Sequence, residues 1–193
     1  EDGKRVLTAD RVKGYVVLTA IFRKELAFRR VVIKKPEIWS DKKQLDDIIG
    51  RVKDYLNTVE PNKIKVSANA IEVRDGEFSF YDTAYNALLT GKDIDGEVLL
   101  GKTPKMNAHI RELVSNIQSF PELRCEVDST LVFKKDGIDV KNISLKSYGS
   151  EMRASGFYSA EGKGTLKTSM DMVVDSVKKI FGLKRSGDGK ISA

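Results

Sequence analysis

One cysteine and one histidine, Cys125 and His109, stand in 193 residues. That scarcity excludes intrachain disulfides, zinc clusters of the Cys/His kind and any metal face built on two histidines. A Cys-His catalytic dyad would need these two side chains to meet. Cys125 lies in Leu123-Arg-Cys-Glu-Val-Asp, alternating with charged neighbours as an inward strand residue does, the setting of an inert buried thiol. His109 falls on the polar side of a helix expected over 104–119 and reads as exposed and silent. The nucleophile elbow, the phosphate loop and the dinucleotide fingerprint are missing too. Gly162-Lys-Gly164 begins the last of these, but residue 167 is Lys where a third glycine belongs. Long hydrophobic runs are also lacking. The longest, Tyr15 to Phe22, already includes Thr19, against about 20 apolar residues needed to cross a bilayer.

What is present is globular: 40% hydrophobic and 32% charged residues exclude both an intrinsically disordered chain and a polytopic membrane protein. The chain begins at Glu1 and ends on Ile191-Ser-Ala, which reads like a strand cut short, so residues 1–193 are expected to be a single module of a longer protein. The net charge of +6 is uneven. Residues 1–40 hold ten basic and five acidic side chains, residues 162–193 seven and three, and the middle is three units acidic. Basic ends could meet phosphates of nucleic acid or of lipid head groups. No block of five like charges occurs, which suits an ordinary solvated surface.

Period-two alternation broken by tight corners dominates the chain and predicts antiparallel strands. Ile71, Val73, Phe78 and Phe80 share one face across a hairpin expected at Asp75-Gly76, and Asp136-Gly137 joins Leu131-Val-Phe133 to Ile138-Asp-Val140. With Ile143 to Ser147, a turn around Tyr148–Ser150 and Met152 to Gly156, this predicts a four-strand meander from 122 to about 172. Near the start, Val12–Leu18 is a strand, Thr19–Glu25 a short helical turn, and Leu26–Lys34 a strand ending at Pro36. Leu26 and Phe28 have one parity and Val31 and Ile33 the other, which demands a bulge near Arg29-Arg30. The pairs Ile64/Val66 and Ile71/Val73 show the same shift. Recurring bulges suit a strongly curved sheet.

Three helices are expected. Asp41 caps the first, with Gln44 as its box partner and Leu45, Ile48, Ile49, Val52 and Leu56 on one stripe up to about residue 57. Thr103-Pro104 starts the second, with Met106, Ile110, Leu113 and Ile117 on one side. The third runs from Val173 to Phe181 and stops at Gly182. Residues 83–102 give no clear pattern. The fold class is therefore mainly β with a few helices: a curved antiparallel sheet forming an open groove, flanked by amphipathic helices.

The carboxylates at corners, Asp75 and Asp136, have turn chemistry to do, and Asp82 ends a strand. The inward positions Phe28, Val66, Val73, Phe78, Phe80, Val127, Leu131, Phe133, Leu145 and Met152 make a long apolar surface that three short helices are hard pressed to cover. Either a second sheet closes it as a sandwich, or the sheet curls into a trough open to an acyl chain.

In this setting, the stretch Leu7 to Ile38, with Leu26-x-Phe28-x-x-Val31-x-Ile33-x-x-Pro36-x-Ile38, resembles the start of an AsmA/TamB-like protein. Ile71-x-Val73-x-Asp75-Gly76-x-Phe78-x-Phe80-x-Asp82 is similar to a second recurring element of that family. Asp136-Gly137-Ile138-x-Val140-x-Asn142-Ile143-x-Leu145-x-Ser147, followed by Ser150-x-Met152-x-Ala154-x-Gly156, is similar to its meander repeat. The resemblance covers over half the chain, in order. It implies a periplasmic module, anchored to the inner membrane by a helix outside these residues, whose β-groove shelters phospholipid acyl chains on their way between membranes. It implies no catalytic residue, no metal and no cofactor. The alternative is a structural or interaction module whose sheet is sealed by its helices and whose edge pairs with envelope protein partners. A nucleic-acid platform on Phe78, Phe80 and Tyr81 is disfavoured, because those aromatics alternate faces.

Overall fold

Most of the alternating segments become strands in the computed structural model, which describes residues 7–23, 25–41, 44, 65–84, 86–117, 122–159, 161–173 and 190–192. In chain order these are β1 (Leu7–Val16), the single-turn helix α1 (Leu18–Ile21), β2 (Glu25–Asp41), β3 (Lys65–Ala68), β4 (Ala70–Asp82) and β5 (Ala87–Leu99). There follow β6 (Lys105–Ile117), β7 (Leu123–Lys134), β8 (Gly137–Ser147), β9 (Ser150–Ser159), β10 (Gly164–Val173) and β11 (Lys190–Ser192). The strands belong to one large, curved, open sheet in the order β1-β2-β4-β5-β6-β7-β8-β9-β10-β11, with β3 beside β2. The meander expected over 122–172 is β7 to β10. Its β8–β9 corner is a two-residue turn in which Tyr148 and Gly149 both take positive φ, the geometry that matches strand twist.

The structure corrects four of the expectations. The sheet is not wholly antiparallel: β2 runs parallel to β3 and β4. Alternation reports faces but not direction, and 23 residues separate Asp41 from Lys65, ample for the crossover that parallel strands require. Pro36 does not end β2, which continues to Asp41 with Pro36 opposite Ala9. Asp75-Gly76 is no hairpin but a bulge inside β4, with Asp75 at φ 53°. Residues 105–117 are strand β6, not helix. Its stripe of Met106, Ile110, Leu113 and Ile117 has spacings of four, three and four. That is also period two with one extra residue, and the register shifts between Ile110 and Leu113. Of the helix expected over 41–57, Asp41 and Gln44 are described. Asp41 Oδ1 accepts the Gln44 amide at 2.8 Å and Gln44 Oε1 accepts the Asp41 amide at 3.4 Å, the reciprocal bonds of a capping box. The rest of it lies outside the described residues, as does the helix expected over 173–181 beyond Val173, which closes β10.

Extra residues occur at matching levels in neighbouring strands. Lys35 in β2, Asp75 in β4 and Asp93 in β5 each adopt left-handed φ, and β6 slips at the same level. Each bulge bends its strand and increases the local twist, so a row of them creases the sheet across four strands. Arg111 on β6 donates to Asp93 at 3.4 Å across this crease. The bulge expected near Arg29-Arg30 is present: Tyr15 pairs with Arg30 but Val16 with Phe28.

Two glycines make room for aromatic rings on neighbouring strands. Phe28 lies over Gly14, and Phe78 over its partner Gly91, where an added Cβ would stand 2.3 Å from the ring. Gly91→Ala therefore displaces Phe78 and costs about 1–3 kcal/mol, the usual price of overpacking. Urea unfolding should show that loss. Gly101→Ala, with nothing within 4 Å of the new carbon, should unfold at the parent midpoint. Equal midpoints for both variants would contradict this packing.

Candidate functional site: an apolar sheet face

Directly paired residues point to the same side of a sheet, so the register sorts the side chains into two faces. One row runs Val31, Ile71, Val98, Met106, Leu131, Val140. The next contains Ile33, Val73, Gly96, Ala108, Ser129, Ile143, Ala154. A third holds Gly76, Ile94, Ile110, Val127, Leu145, Met152, Met170. Two more pass through Ile38, Phe78, Gly91, Leu113, Cys125 and through Phe80, Leu89, Ser115, Leu123. No charged side chain falls in these five rows.

All ten inward residues named from the sequence share this face. Val73, Phe78, Phe80, Val127, Leu131, Leu145 and Met152 lie in the rows above. Phe133 extends β7 with the parity of Leu131 and pairs with Ile138. Phe28 joins across the Arg29 bulge, and Val66 pairs with Leu26 beside it. Nine of the ten are half-buried, and Val66 is 61% exposed. Near-complete burial is confined to Ala20, Val32, Ala70 and Val140 among the described hydrophobic residues, and of these only Val140 belongs to the apolar rows. The face is thus lined up by register but not closed over by the described residues.

The opposite face carries the charge, in networks that pair internally. Arg30 bridges two carboxylates that sit directly opposite one another, Glu72 at 2.9 Å and Glu97 at 3.4 Å. Arg74 also binds Glu72. Asp139 lies 2.9 Å from both Lys134 and Lys141, and Glu151 receives Arg153 at 2.8 Å and the Ser144 hydroxyl at 2.8 Å. These partners hold the carboxyls of Glu72, Asp139 and Glu151 below their ordinary range: hydrogen bonds from Arg74, Lys134 and Arg153 respectively are the largest causes. Such groups are tuned away from proton transfer at neutral pH. Shallow depressions of about 590 Å³ around Arg29, Arg30 and Arg74, and about 390 Å³ between Asp95, His109 and Thr130, indent this polar side.

His109 corrects another expectation. It is neither helical nor exposed: half-buried on β6, it faces its register partner Asp128, with Nδ1 2.8 Å from Oδ1, and Glu126 lies 3.9 Å away. This trio brings donor atoms close enough to share a cation, but the Lys146 ammonium stands 3.9 Å from Asp128 and competes for the same carboxylate. Reading 104–119 as a strand would have exposed the pair, since His109 and Asp128 both fall at polar positions. Cys125 is half-buried on the apolar face beside Leu113, and desolvation pushes its thiol up, which lowers its thiolate fraction and reactivity.

Comparisons with protein-family models, curated proteins and solved structures find no match for this chain.

The three lowered carboxyls fix the sign of the pH response. A carboxylate with a depressed folded-state pKa contributes stability that is present above its unfolded pKa and is lost as pH falls through the folded value. Thermal melts should therefore drop in midpoint as pH falls through and below the ordinary carboxylate range. Glu151→Gln should lower the midpoint at neutral pH and flatten that fall, and a pH-independent midpoint would contradict the pairing.

Proposed function

We propose that this chain is a non-catalytic, AsmA/TamB-like module that binds or conducts phospholipid acyl chains along the apolar face of its sheet, curled as a groove, in outer-membrane lipid homeostasis. The observation that carries the reading is the half-exposure of that face. Aligned apolar rows cross the sheet without an interrupting charge, and residues such as Phe78, Phe80, Val127 and Leu145 remain partly open to solvent. Each methylene moved out of water contributes about 0.8 kcal/mol, so an acyl chain laid across these rows gains through many small contacts. Translation along them needs an unbroken apolar path and no bond making, hence no metal or cofactor. The polar face, which carries the ion-pair networks, remains in water. The same reading puts the module in the periplasm, anchored to the inner membrane by a helix outside these residues.

A second reading, a structural module that pairs with envelope proteins, is favoured by the edges. Among the described residues β1 pairs only with β2, and β10 meets β11 only over Asp171–Val173. Unpaired backbone of this kind is a template for strand addition.

Titration with a fluorescent fatty acid separates the two. The acyl reading predicts saturable binding, displaced by phospholipid, that Phe80→Asp weakens about tenfold or more because a charge then faces the chain. Ser79→Asp, one residue away on the opposite face, should bind like the parent. No binding by the parent, or equal binding by both variants, would remove the acyl reading and leave the edge reading.

A further inference from the structure

The turn between β1 and β2 is apolar the wrong way round. In α1 and the residue after it the small side chain points in and the large ones point out: Ala20 is fully buried against β2, while Leu18 is 72%, Ile21 56% and Phe22 91% exposed. The geometry is held by backbone bonds, Ala20 N–H to Val17 O at 3.0 Å, Arg23 N–H to Ala20 O at 2.9 Å and Val17 N–H to Ala27 O at 2.8 Å. The apolar side chains are therefore displayed by an ordered turn. A cluster of this kind marks an interaction surface, because exposing it to water is costly and folding gains nothing from it.

Charge shows what covers it. Residues 11–34, the turn and the adjoining parts of its two strands, carry seven basic side chains, Arg11, Lys13, Arg23, Lys24, Arg29, Arg30 and Lys34, against one acidic, Glu25. That is +6, the net charge of the whole chain. The remainder has 27 basic (34 less 7) and 27 acidic (28 less 1) residues and sums to zero. Nearest the apolar turn, residues 17–30 hold four basic side chains, Arg23, Lys24, Arg29 and Arg30, against Glu25, a net +3. Arg23 stands beside the tip, its guanidinium 3.9 Å from Glu25. Tyr15 and Arg30 are register partners a few residues below it, with Arg29 in the bulge between Arg30 and Phe28. Apolar and aromatic residues that enter the interface, collared by arginine and lysine that meet phosphates, suit the surface of an anionic bilayer.

We propose that the β1–β2 tip docks on the surface of an anionic lipid bilayer, with Leu18, Ile21 and Phe22 entering the head-group boundary and Arg23 and Arg29 contacting lipid phosphates. The proposal does not depend on acyl binding by the apolar sheet face. Its occupant is the membrane surface itself, and its residues lie at the end of one hairpin.

The test is co-sedimentation with vesicles of phosphatidylcholine alone and of phosphatidylcholine with one third phosphatidylglycerol. The parent should pellet with the anionic vesicles, weakly or not at all with the neutral ones, and should be released by high salt. Leu18→Ser/Ile21→Ser/Phe22→Ser should lose about tenfold or more of this binding, as should Arg23→Ala/Arg29→Ala, each with the strand circular dichroism of the parent. Phe80→Asp should pellet like the parent, which separates this proposal from the acyl reading. Absence of binding to anionic vesicles, or undiminished binding by the serine variant, overturns the proposal. So does a parent dimer in sedimentation velocity that the serine substitutions dissociate, which would assign the tip to a second copy.

Discussion

Everything in this protein depends on keeping period-two alternation in phase across a very wide sheet. A slip of one residue in any strand sends its apolar side chains to the polar side. The chain contains many such slips, and they are compensated. Lys35, Asp75 and Asp93 are inserted at one level of three neighbouring strands, and β6 adds its own extra residue there, so the apolar rows resume in step beyond the crease. Arg29 does the same at the top of β2, where Phe28 and Val31 end up on one side. The bulges bend the sheet without mixing its faces.

That segregation has an energetic consequence. On the polar side charges neutralise one another through Arg30, Arg153 and the lysines around Asp139, and exposed pairs of this kind, screened by water, add little to stability. They make the face soluble more than they hold it together. On the apolar side, cross-strand contacts such as Val127 with Ile110 and Leu145, or Phe78 over Gly91, provide the cohesion within the layer. A single layer cannot bury both flanks of such side chains, and most stay half-exposed. The proposed lipid would supply a second layer over the described strands.

The legible and illegible parts of the fold differ for physical reasons. The meander β7 to β10 was readable because its corners at Asp136-Gly137 and Tyr148-Gly149 are short and its strands alternate almost without interruption. The Arg29 bulge was readable from a parity change. Asp75-Gly76 misled because a left-handed Asp serves a bulge as well as a hairpin, and only pairing with distant β2 and β5 decides which. Strand β6 misled because one bulge turns period two into the four-three-four spacing of a helical stripe. The parallel pairing of β2 with β4 left no trace in alternation, and residues 83–102, now β5 and the segments beside it, offered too few apolar repeats. The ten apolar face residues were nevertheless legible, since parity alone selects a face even when partners are unknown. The His109–Asp128 pair was hidden behind the helical reading of its segment.

The most direct measurement uses a phospholipid bearing a photoreactive group midway along one acyl chain, irradiated with the protein and mapped by peptide mass spectrometry. The account predicts adducts on alternate residues of a given strand, at Cys125, Val127, Ser129 and Leu131 on β7 and at Phe78 and Phe80 on β4, with the polar positions between them unlabelled. Labelling spread over both parities, or confined to the charged side around Arg30 and His109, would contradict it.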